Sequence, residues 1–309
     1  MDLIAREVQE RRKQYNAGFE SALPFRHCVI DGFLAPDFAA RLLAQFPPFE
    51  RGDYLNEDGK PGGKSTIERL RGLGDAYRQL DDLVQSPEFL RLIGDITGIP
   101  GLLYDPMYFG GGTHENRSGQ GLDNHIDFNY HPATLWHRRL NLIVYLNPEW
   151  ETAWGGSLEL HRDPYDPEND ETVVVPPLFN RCVIFETTEH SWHGFGKISL
   201  PAAKAHLSRK SIALYFYTET RPEAQTARTH STVYVDRQLP AHLRPGHVLT
   251  EQDCTELREL FSSRADHNRR LYAEIERLQA DLEMTALGRV VNIIRRRIAR
   301  FRLRRASAG

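Results

Sequence analysis

Four short stretches of this chain carry side chains that could do chemistry together. In His125-Ile126-Asp127 an imidazole and a carboxylate stand two residues apart. On an extended strand, side chains at i and i+2 share one face, so both could reach one ion. Ser191-Trp192-His193-Gly194 supplies another imidazole, with His190 as the competing donor three residues earlier. Arg209-Lys210-Ser211 adds a fixed cation. Two imidazoles and one carboxylate on one side of a metal ion leave coordination positions open for other ligands.

Taken alone, a His-x-Asp triplet says little, because the chain has 13 His and carries a second one, His161-Arg162-Asp163. That triplet also reads as the His-Arg-Asp of a kinase catalytic loop. No Gly-rich nucleotide loop, Val-Ala-Ile-Lys strand or Asp-Phe-Gly accompanies it, so the kinase reading is set aside and the pair is assigned to a strand-end loop. Gly110-Gly111-Gly112 could suggest a phosphate cradle, but no Gly-Lys-Ser/Thr follows and no helix stands behind it.

The elements that must position these residues are mostly strands. From Leu140 onward, LNLIVYLN, GSLELH, TVVVPP, RCVIFETT and SIALYFYT are separated by Pro, Gly and Asp turns, which predicts an antiparallel sandwich or jelly roll with a cavity between two sheets. In 140–147, Leu140, Leu142, Val144 and Leu146 make an apolar face, and Asn141, Ile143, Tyr145 and Asn147 make a face suited to a polar cavity. In the last strand Ile212, Leu214 and Phe216 oppose Arg209, Ser211, Ala213 and Tyr215. Small residues around one Arg leave room for an anion. Before this region, a polar N-terminal helix, a strand near residues 25–34, and helices over FAARLLAQF and SPEFLRLIGDITG are expected. Residues 51–65 and the stretch from Gly110 to Asp123 are expected to be exposed loops.

At 309 residues, with 40% apolar and 26% charged residues, the composition is that of a globular protein. The charged N-terminus lacks a signal-peptide core and no apolar run reaches a membrane-spanning length, so a cytoplasmic chain is expected. Cys28, Cys182 and Cys254 are isolated, which points to reduced structural thiols. The formal charge of −3 hides an asymmetry, because Arg289 to Arg305 holds eight Arg and no acid. The expected division is residues 1–235 as the main domain and 236–309 as a helical, basic tail. In the tail, Asn268, Leu271, Ile275, Leu278 and Leu282 fall at heptad-like spacing. Two readings stand: a helix that pairs with a second copy as a homodimer, or one packed on its own domain. For VVNIIRRRIARFRLRR, a solvated tail stands beside an anionic membrane surface, which its apolar content favours over nucleic acid.

The order of the motifs resembles the prolyl 4-hydroxylase-like branch of the 2-oxoglutarate/Fe(II)-dependent dioxygenases, from about Pro24 to Thr218. The similarity is carried by Tyr108-Phe109-Gly110-Gly111-Gly112, His125-Ile126-Asp127, Tyr145-Leu146-Asn147 with Trp154-Gly155-Gly156, His193-Gly194, and Arg209-Lys210-Ser211. It implies a double-stranded β-helix (jelly roll) core, mainly β with flanking helices, plus the C-terminal helical tail. It implies Fe(II) held by His125, Asp127 and His193, the Gly after His193 favouring it over His190. Arg209 would hold the distal carboxylate of 2-oxoglutarate, Tyr145 and Ser211 would add hydrogen bonds, and Tyr108 would also contact the cosubstrate. O₂ and ascorbate complete the implied cofactors. The implied reaction converts 2-oxoglutarate to succinate and CO₂ while hydroxylating an unactivated C–H of a prolyl residue, another peptide or a small molecule. The alternative is a catalytically retired jelly-roll binding module, localised by its tail to a membrane or nucleic acid. Both loops flanking the ligands are longer than the family pattern, and Asn129, Tyr130, Trp136 and Arg138, which follow the ligand strand, are expected to line the substrate cleft.

Overall fold

The computed structural model describes residues 1–55, 61–166, 168–236, 239–240 and 242–284. The chain forms two compact units, Met1–Val235 and Asp236–Gly309. The first opens with helices α1 (Arg6–Glu10) and α2 (Arg12–Ser21), strand β1 (His27–Asp31) and helix α3 (Pro36–Ala44). Next come β2 (Asp53–Leu55), β3 (Pro61–Ile67), α4 (Asp75–Val84) and α5 (Pro87–Thr97). The remaining strands are β4 (Leu103–Tyr104), β5 (Gly112–Asn116), β6 (Leu122–Ile126), β7 (His137–Tyr145), β8 (Leu158–His161), β9 (Thr172–Val175), β10 (Arg181–Glu186), β11 (Trp192–Phe195), β12 (Arg209–Thr218) and β13 (Val233–Tyr234).

Period-two alternation sorts these strands into a sandwich with helices on one side. An eight-stranded sheet runs β1-β10-β7-β12-β5-β3-β2, with β4 also paired to β12, and a five-stranded sheet runs β13-β6-β11-β8-β9. The strand pairings are antiparallel. Leu140, Leu142 and Val144 of β7 and Ile212, Leu214 and Phe216 of β12 pack outward against α3, α4 and α5 through Phe38, Leu42, Tyr77, Leu80, Phe89 and Ile93. The opposite face of β7 and β10, with Tyr145, Val183 and Phe185, packs on Leu158, Leu160 and Val175 of the five-stranded sheet. Burying both faces of the central strands explains why a polar inner residue there needs a specific partner.

Helix α5 shows how local sequence sets an element's ends. Ser86 accepts the Phe89 N–H at 3.3 Å, Pro87 fills the first turn, and Gly98 closes the helix at φ 69°. Its apolar stripe, Phe89, Leu92, Ile93 and Ile96, is buried.

Two expected loops are partly strands. Residues 51–65 contribute β2 and most of β3, because pairing of Ser65, Thr66 and Ile67 with β5 overrides the Gly- and Lys-rich composition. The stretch from Gly110 to Asp123 contributes β5 and the start of β6. Gly112 holds φ 93°, and a Cβ there would lie 2.0 Å from the Ile67 carbonyl oxygen, so only glycine lets β5 approach β3.

The second unit contains α6 (Glu251–Met284). Thr250 and Asp253 cap its start reciprocally: the Thr250 N–H donates to Asp253 Oδ2 at 2.8 Å, and the Asp253 N–H to Thr250 Oγ1 at 3.1 Å. On α6, Phe261, Leu271, Tyr272, Ile275 and Leu278 are exposed. The side chain of Leu282 and the Arg-rich segment 289–305 lie outside the described residues. No helix among the described residues is long and apolar enough to cross a membrane. Cys28, Cys182 and Cys254 are free thiols.

Candidate active site

His125 is the penultimate residue of β6, His193 lies in β11, and the pairing of those strands sets the two residues directly opposite each other. Their rings stand 4.3 Å apart between centroids. Asp127 follows β6 by one residue, its carboxylate 3.8 Å from His125 Nε2 and 3.5 Å from His193 Nε2. One donor atom from each residue falls within 4.8 Å of the others. His190 does not join them; it is exposed, and its N–H donates to Thr188 Oγ1 at 3.1 Å.

Backbone contacts aim both imidazoles. His125 Nδ1 lies 2.8 Å from the Asp123 carbonyl, and His193 Nδ1 lies 2.8 Å from the Ser191 carbonyl. A carbonyl only accepts, so each Nδ1 carries the hydrogen and each Nε2 presents a lone pair to the shared space. Gly194 completes the arrangement: a Cβ there would lie 2.5 Å from Asn124 Oδ1 and 2.7 Å from the Leu122 carbonyl, so β11 meets β6 only without a side chain.

The protonation states suit metal binding. Burial first, and then the neighbouring His193, pulls His125 down to about 3, and burial also lowers His193. Burial alone would raise the Asp127 carboxyl, but Arg138, the two histidines and Asn141 together hold it below the usual carboxylate range. Two neutral imidazoles and one ionised carboxylate are the forms a divalent ion binds. The donor set fits Fe(II), with positions left open for other ligands.

Arg138 and Asn141 hold that carboxylate from the eight-stranded sheet. Arg138 Nη2 lies 3.1 Å from Asp127 Oδ2, and Asn141 Nδ2 donates to the same oxygen at 2.8 Å. Arg138 also donates to Asn141 Oδ1 at 2.7 Å, and its guanidinium lies over the rings of Tyr215, at 3.6 Å, and Phe128, at 4.4 Å. The register shift opposite Phe216 and Tyr217 takes up one extra β7 residue, so Arg138 leaves the apolar face it would share with Leu140. Asn141 was legible on the polar face of β7. The turn of Arg138 toward Asp127 was not, because alternation assigns it outward.

The anion end is built on β7 and β12. Ser211 stands opposite Tyr145 on one side and opposite His114 of β5 on the other. Arg209 is 4% exposed. Its Nε–H donates to the Gly156 carbonyl at 2.6 Å, its Nη2 donates to Tyr145 Oη at 3.2 Å, and its guanidinium lies 4.1 Å from the Phe195 ring of β11. Among the described residues Arg209 has no carboxylate partner. A buried guanidinium left without an acid fits an anionic ligand, because an uncompensated charge in this setting is costly.

Tyr108 does not join the site. Its hydroxyl lies 2.9 Å from Asp81 Oδ1, to which it donates, and its ring sits in the core edge-on to Tyr104. Tyr108 adopts φ 52°, and that unusual backbone turns the side chain to the helix side of the sheet. Asn129, Tyr130 and Trp136, expected near the cleft, mainly fasten loops. Asn129 Nδ2 donates to the Arg228 carbonyl at 2.8 Å and Tyr130 Oη to the Ala227 carbonyl at 3.3 Å, while the Trp136 carbonyl accepts the His131 N–H at 2.9 Å. Tyr234 of β13, unforeseen in the sequence, puts its ring 5.2 Å from His125.

The other His-x-Asp triplet is structural. His161 Nδ1 lies 2.6 Å from Asp170, whose other oxygen accepts the Arg162 and Asp163 N–H groups at 2.9 Å each. In the second unit, His242, His247 and Asp253 also converge. There His242 Nε2 and His247 Nε2 each lie 2.8 Å from a different Asp253 oxygen, which accounts for that group as part of the α6 cap.

Comparison with known proteins finds similarity in sequence and in structure. Residues 111–217 match the model of the 2OG-Fe(II) oxygenase superfamily. A mouse protein named prolyl 3-hydroxylase OGFOD1 is 26% identical over 214 residues, which is 64% of this chain and 34% of that protein. The chain therefore spans about a third of the length of this curated relative. Among solved structures, a Trichoplax adhaerens prolyl hydroxylase, in complex with a hypoxia inducible factor oxygen degradation domain peptide fragment, aligns with TM-score 0.48 and 17% identity, covering 69% of this chain and 92% of that one. A Pseudomonas putida prolyl-4-hydroxylase aligns with TM-score 0.44 and 16% identity, covering 67% and 99%.

Proposed function

We propose that this chain, which belongs to the 2OG-Fe(II) oxygenase superfamily, hydroxylates an unactivated C–H of a peptide or small molecule, with a peptidyl prolyl residue the first substrate to test. The observation that carries the reading is the pairing of a convergent His125–Asp127–His193 group with a buried, acid-free Arg209 across the sandwich. The prolyl choice draws on the mouse relative's name.

In this reading His125, Asp127 and His193 hold Fe(II), and Arg209 holds the distal carboxylate of 2-oxoglutarate. Fe(II) together with 2-oxoglutarate supplies the oxidising power, one O₂ being divided between succinate, formed with CO₂, and the hydroxyl group of the product. The protein contributes orientation and charge. The Arg209 fork matches a carboxylate in plane, and Tyr145 Oη, which accepts from Arg209, can turn its own hydrogen toward the same anion. Ser211, facing Tyr145, lies within the same patch. Arg138 and Asn141 fix the Asp127 carboxylate and keep it ionised. Ascorbate would serve to maintain the iron as Fe(II).

Succinate release by Fe(II)-loaded protein over a panel of prolyl peptides, free amino acids and glycans tests the reading. Turnover that needs iron and 2-oxoglutarate and is lost in His125→Ala supports it. A metal-free protein without turnover on any of them favours the retired binding module.

Partners and location form a second part of the proposal. The exposed Leu271, Ile275 and Leu278 on α6 support a homodimer through that helix, with Asn268 at a core position of the heptad. The composition of Arg289–Arg305 supports contact with an anionic membrane surface from a cytoplasmic location. Light scattering of the full chain and of a chain ending at residue 250, with vesicle sedimentation of the same pair, tests both.

A further inference from the structure

The Arg138 guanidinium that bonds Asp127 is itself held in place, and Tyr215 of β12 is its nearest aromatic neighbour. Tyr215 stands opposite Asn141, the other residue that bonds Asp127, so the two side chains share the inner face of the eight-stranded sheet. The Tyr215 ring lies 3.6 Å from the Arg138 guanidinium carbon, and the Phe128 ring lies 4.4 Å from it. The Tyr215 hydroxyl donates to the Gly110 carbonyl at 3.0 Å. Burial pushes that hydroxyl up to about 12, with Arg138 acting in the other direction, so it keeps its hydrogen at neutral pH. Gly110 holds φ 72°, and a Cβ there would lie 3.6 Å from the Tyr215 ring and 3.8 Å from the Phe128 ring. The loop leading to Gly110 is fixed in turn. Asp105 accepts the Met107 N–H at 2.8 Å and the Phe109 N–H at 2.9 Å, and the Phe109 ring meets Phe128 edge-on at 5.4 Å.

We propose that Tyr215 is a positioning residue of the metal centre, which orients the Asp127 carboxylate through Arg138 and ties it to the loop at Gly110. The proposal rests on the reading of His125, Asp127 and His193 as a metal site. Arg138 donates from Nε at 3.1 Å and from Nη2 at 2.7 Å to Asn141 Oδ1, and Nη2 also lies 3.1 Å from Asp127 Oδ2. Those contacts set one edge of the guanidinium and leave its plane free to tilt about that edge. A ring against the flat face of the cation sets the plane. The Gly110 carbonyl, by holding the hydroxyl, sets where that ring rests. The edge and the plane together fix the direction from which Arg138 meets Asp127, and so the carboxylate oxygen left for the metal. Because the route to the metal ligand runs through Arg138, the effect of Tyr215 is separable from general packing.

The test is calorimetric titration of Mn(II), an air-stable divalent ion, into the full-length protein and its variants. Tyr215→Leu, which removes the ring, should raise the Kd for the metal by about tenfold, the lower end of the range for residues that support a ligand. Tyr215→Phe keeps the ring and loses only the bond to Gly110, so it should stay within about threefold of the wild type. Tyr217→Phe is the control: it removes a buried hydroxyl of the same strand that has no hydrogen-bond partner among the described residues, and it should leave the Kd unchanged. The deciding comparison is a double-mutant cycle. In an Arg138→Met background, Tyr215→Leu should add less than about twofold, because the link it acts through is already gone. If that pair does not fold, Arg138→Lys, which keeps the charge but has no flat face to lay against a ring, serves as the background. Wild-type affinity in Tyr215→Leu, or the same loss in both backgrounds, overturns the proposal. No metal binding by the wild type overturns the metal reading together with it.

Discussion

On the five-stranded sheet His125 and His193 each direct Nδ1–H to a carbonyl two residues back, and the Asp127 carboxylate is neutralised by Arg138 and bonded by Asn141. On the facing eight-stranded sheet Arg209 carries its charge with a hydroxyl and a carbonyl for company and, among the described residues, no carboxylate. One wall is electrostatically complete before any ligand arrives, whereas the other is completed by a ligand. That difference separates two jobs. A preorganised wall fixes donor atoms for a metal, and an under-compensated wall selects for an anion because binding relieves the buried charge.

Breaking the complete wall should have the largest effect. His193→Ala should lower metal affinity by more than about a hundredfold, beyond the range for residues that only support a ligand, while His190→Ala leaves it unchanged. Metal analysis after dialysis against a buffered metal solution reads the difference. A larger loss in His190→Ala would reverse the assignment of the distal ligand. Next, Arg138→Met leaves the Asp127 carboxylate buried without its cation. It should destabilise the metal-free protein by about 3 to 5 kcal/mol in urea unfolding, with part of the loss recovered on adding metal.

The incomplete wall should answer in the opposite sense. Arg209→Met removes an uncompensated charge, so the ligand-free protein should gain about 1 kcal/mol, or about 2 to 4 °C in Tm, while its stabilisation by 2-oxoglutarate disappears. A lower Tm in Arg209→Met without ligand would show that this wall too is complete.

The smallest effect concerns His161, at the end of β8, whose behaviour contrasts with the two depressed histidines. Burial lowers its pKa, but Glu159 and Asp170 outweigh that and the net shift is upward. A folded pKa above the unfolded value of about 6.5 contributes stability that is fully present below about pH 6.5 and is lost as pH rises through the folded value. The stability difference between wild type and His161→Gln should therefore shrink from pH 6 to pH 8. A difference independent of pH would mean that this pair is held by packing alone.

Period-two alternation made the inner faces of β7 and β12 legible, and with them Tyr145, Arg209 and Ser211, because side-chain direction in a regular strand follows from sequence position. His125 and Asp127 were legible as a pair, but their meeting with His193 depends on the pairing of β6 with β11, which no local pattern encodes. Arg138 was legible as a cleft residue but not as the partner of Asp127, because a bulge reverses its direction, and bulges leave little trace in composition. Tyr108 misled because the motif around it places a Tyr near the cosubstrate, while its positive φ directs this one to Asp81. What the sequence hides in each case is a long-range pairing or a backbone irregularity, and both lie outside nearest-neighbour patterning.

The central claim is that the two walls form one pocket joining a metal to a dicarboxylate. Calorimetric titration of 2-oxoglutarate into the Fe(II)-loaded protein under anaerobic conditions tests it most directly, with His125→Ala and Arg209→Met measured alongside. The account predicts binding by the wild type that weakens at least about tenfold in either variant, since each removes one end of the same site. Binding untouched by both substitutions, or absent from the metal-loaded wild type, would contradict it.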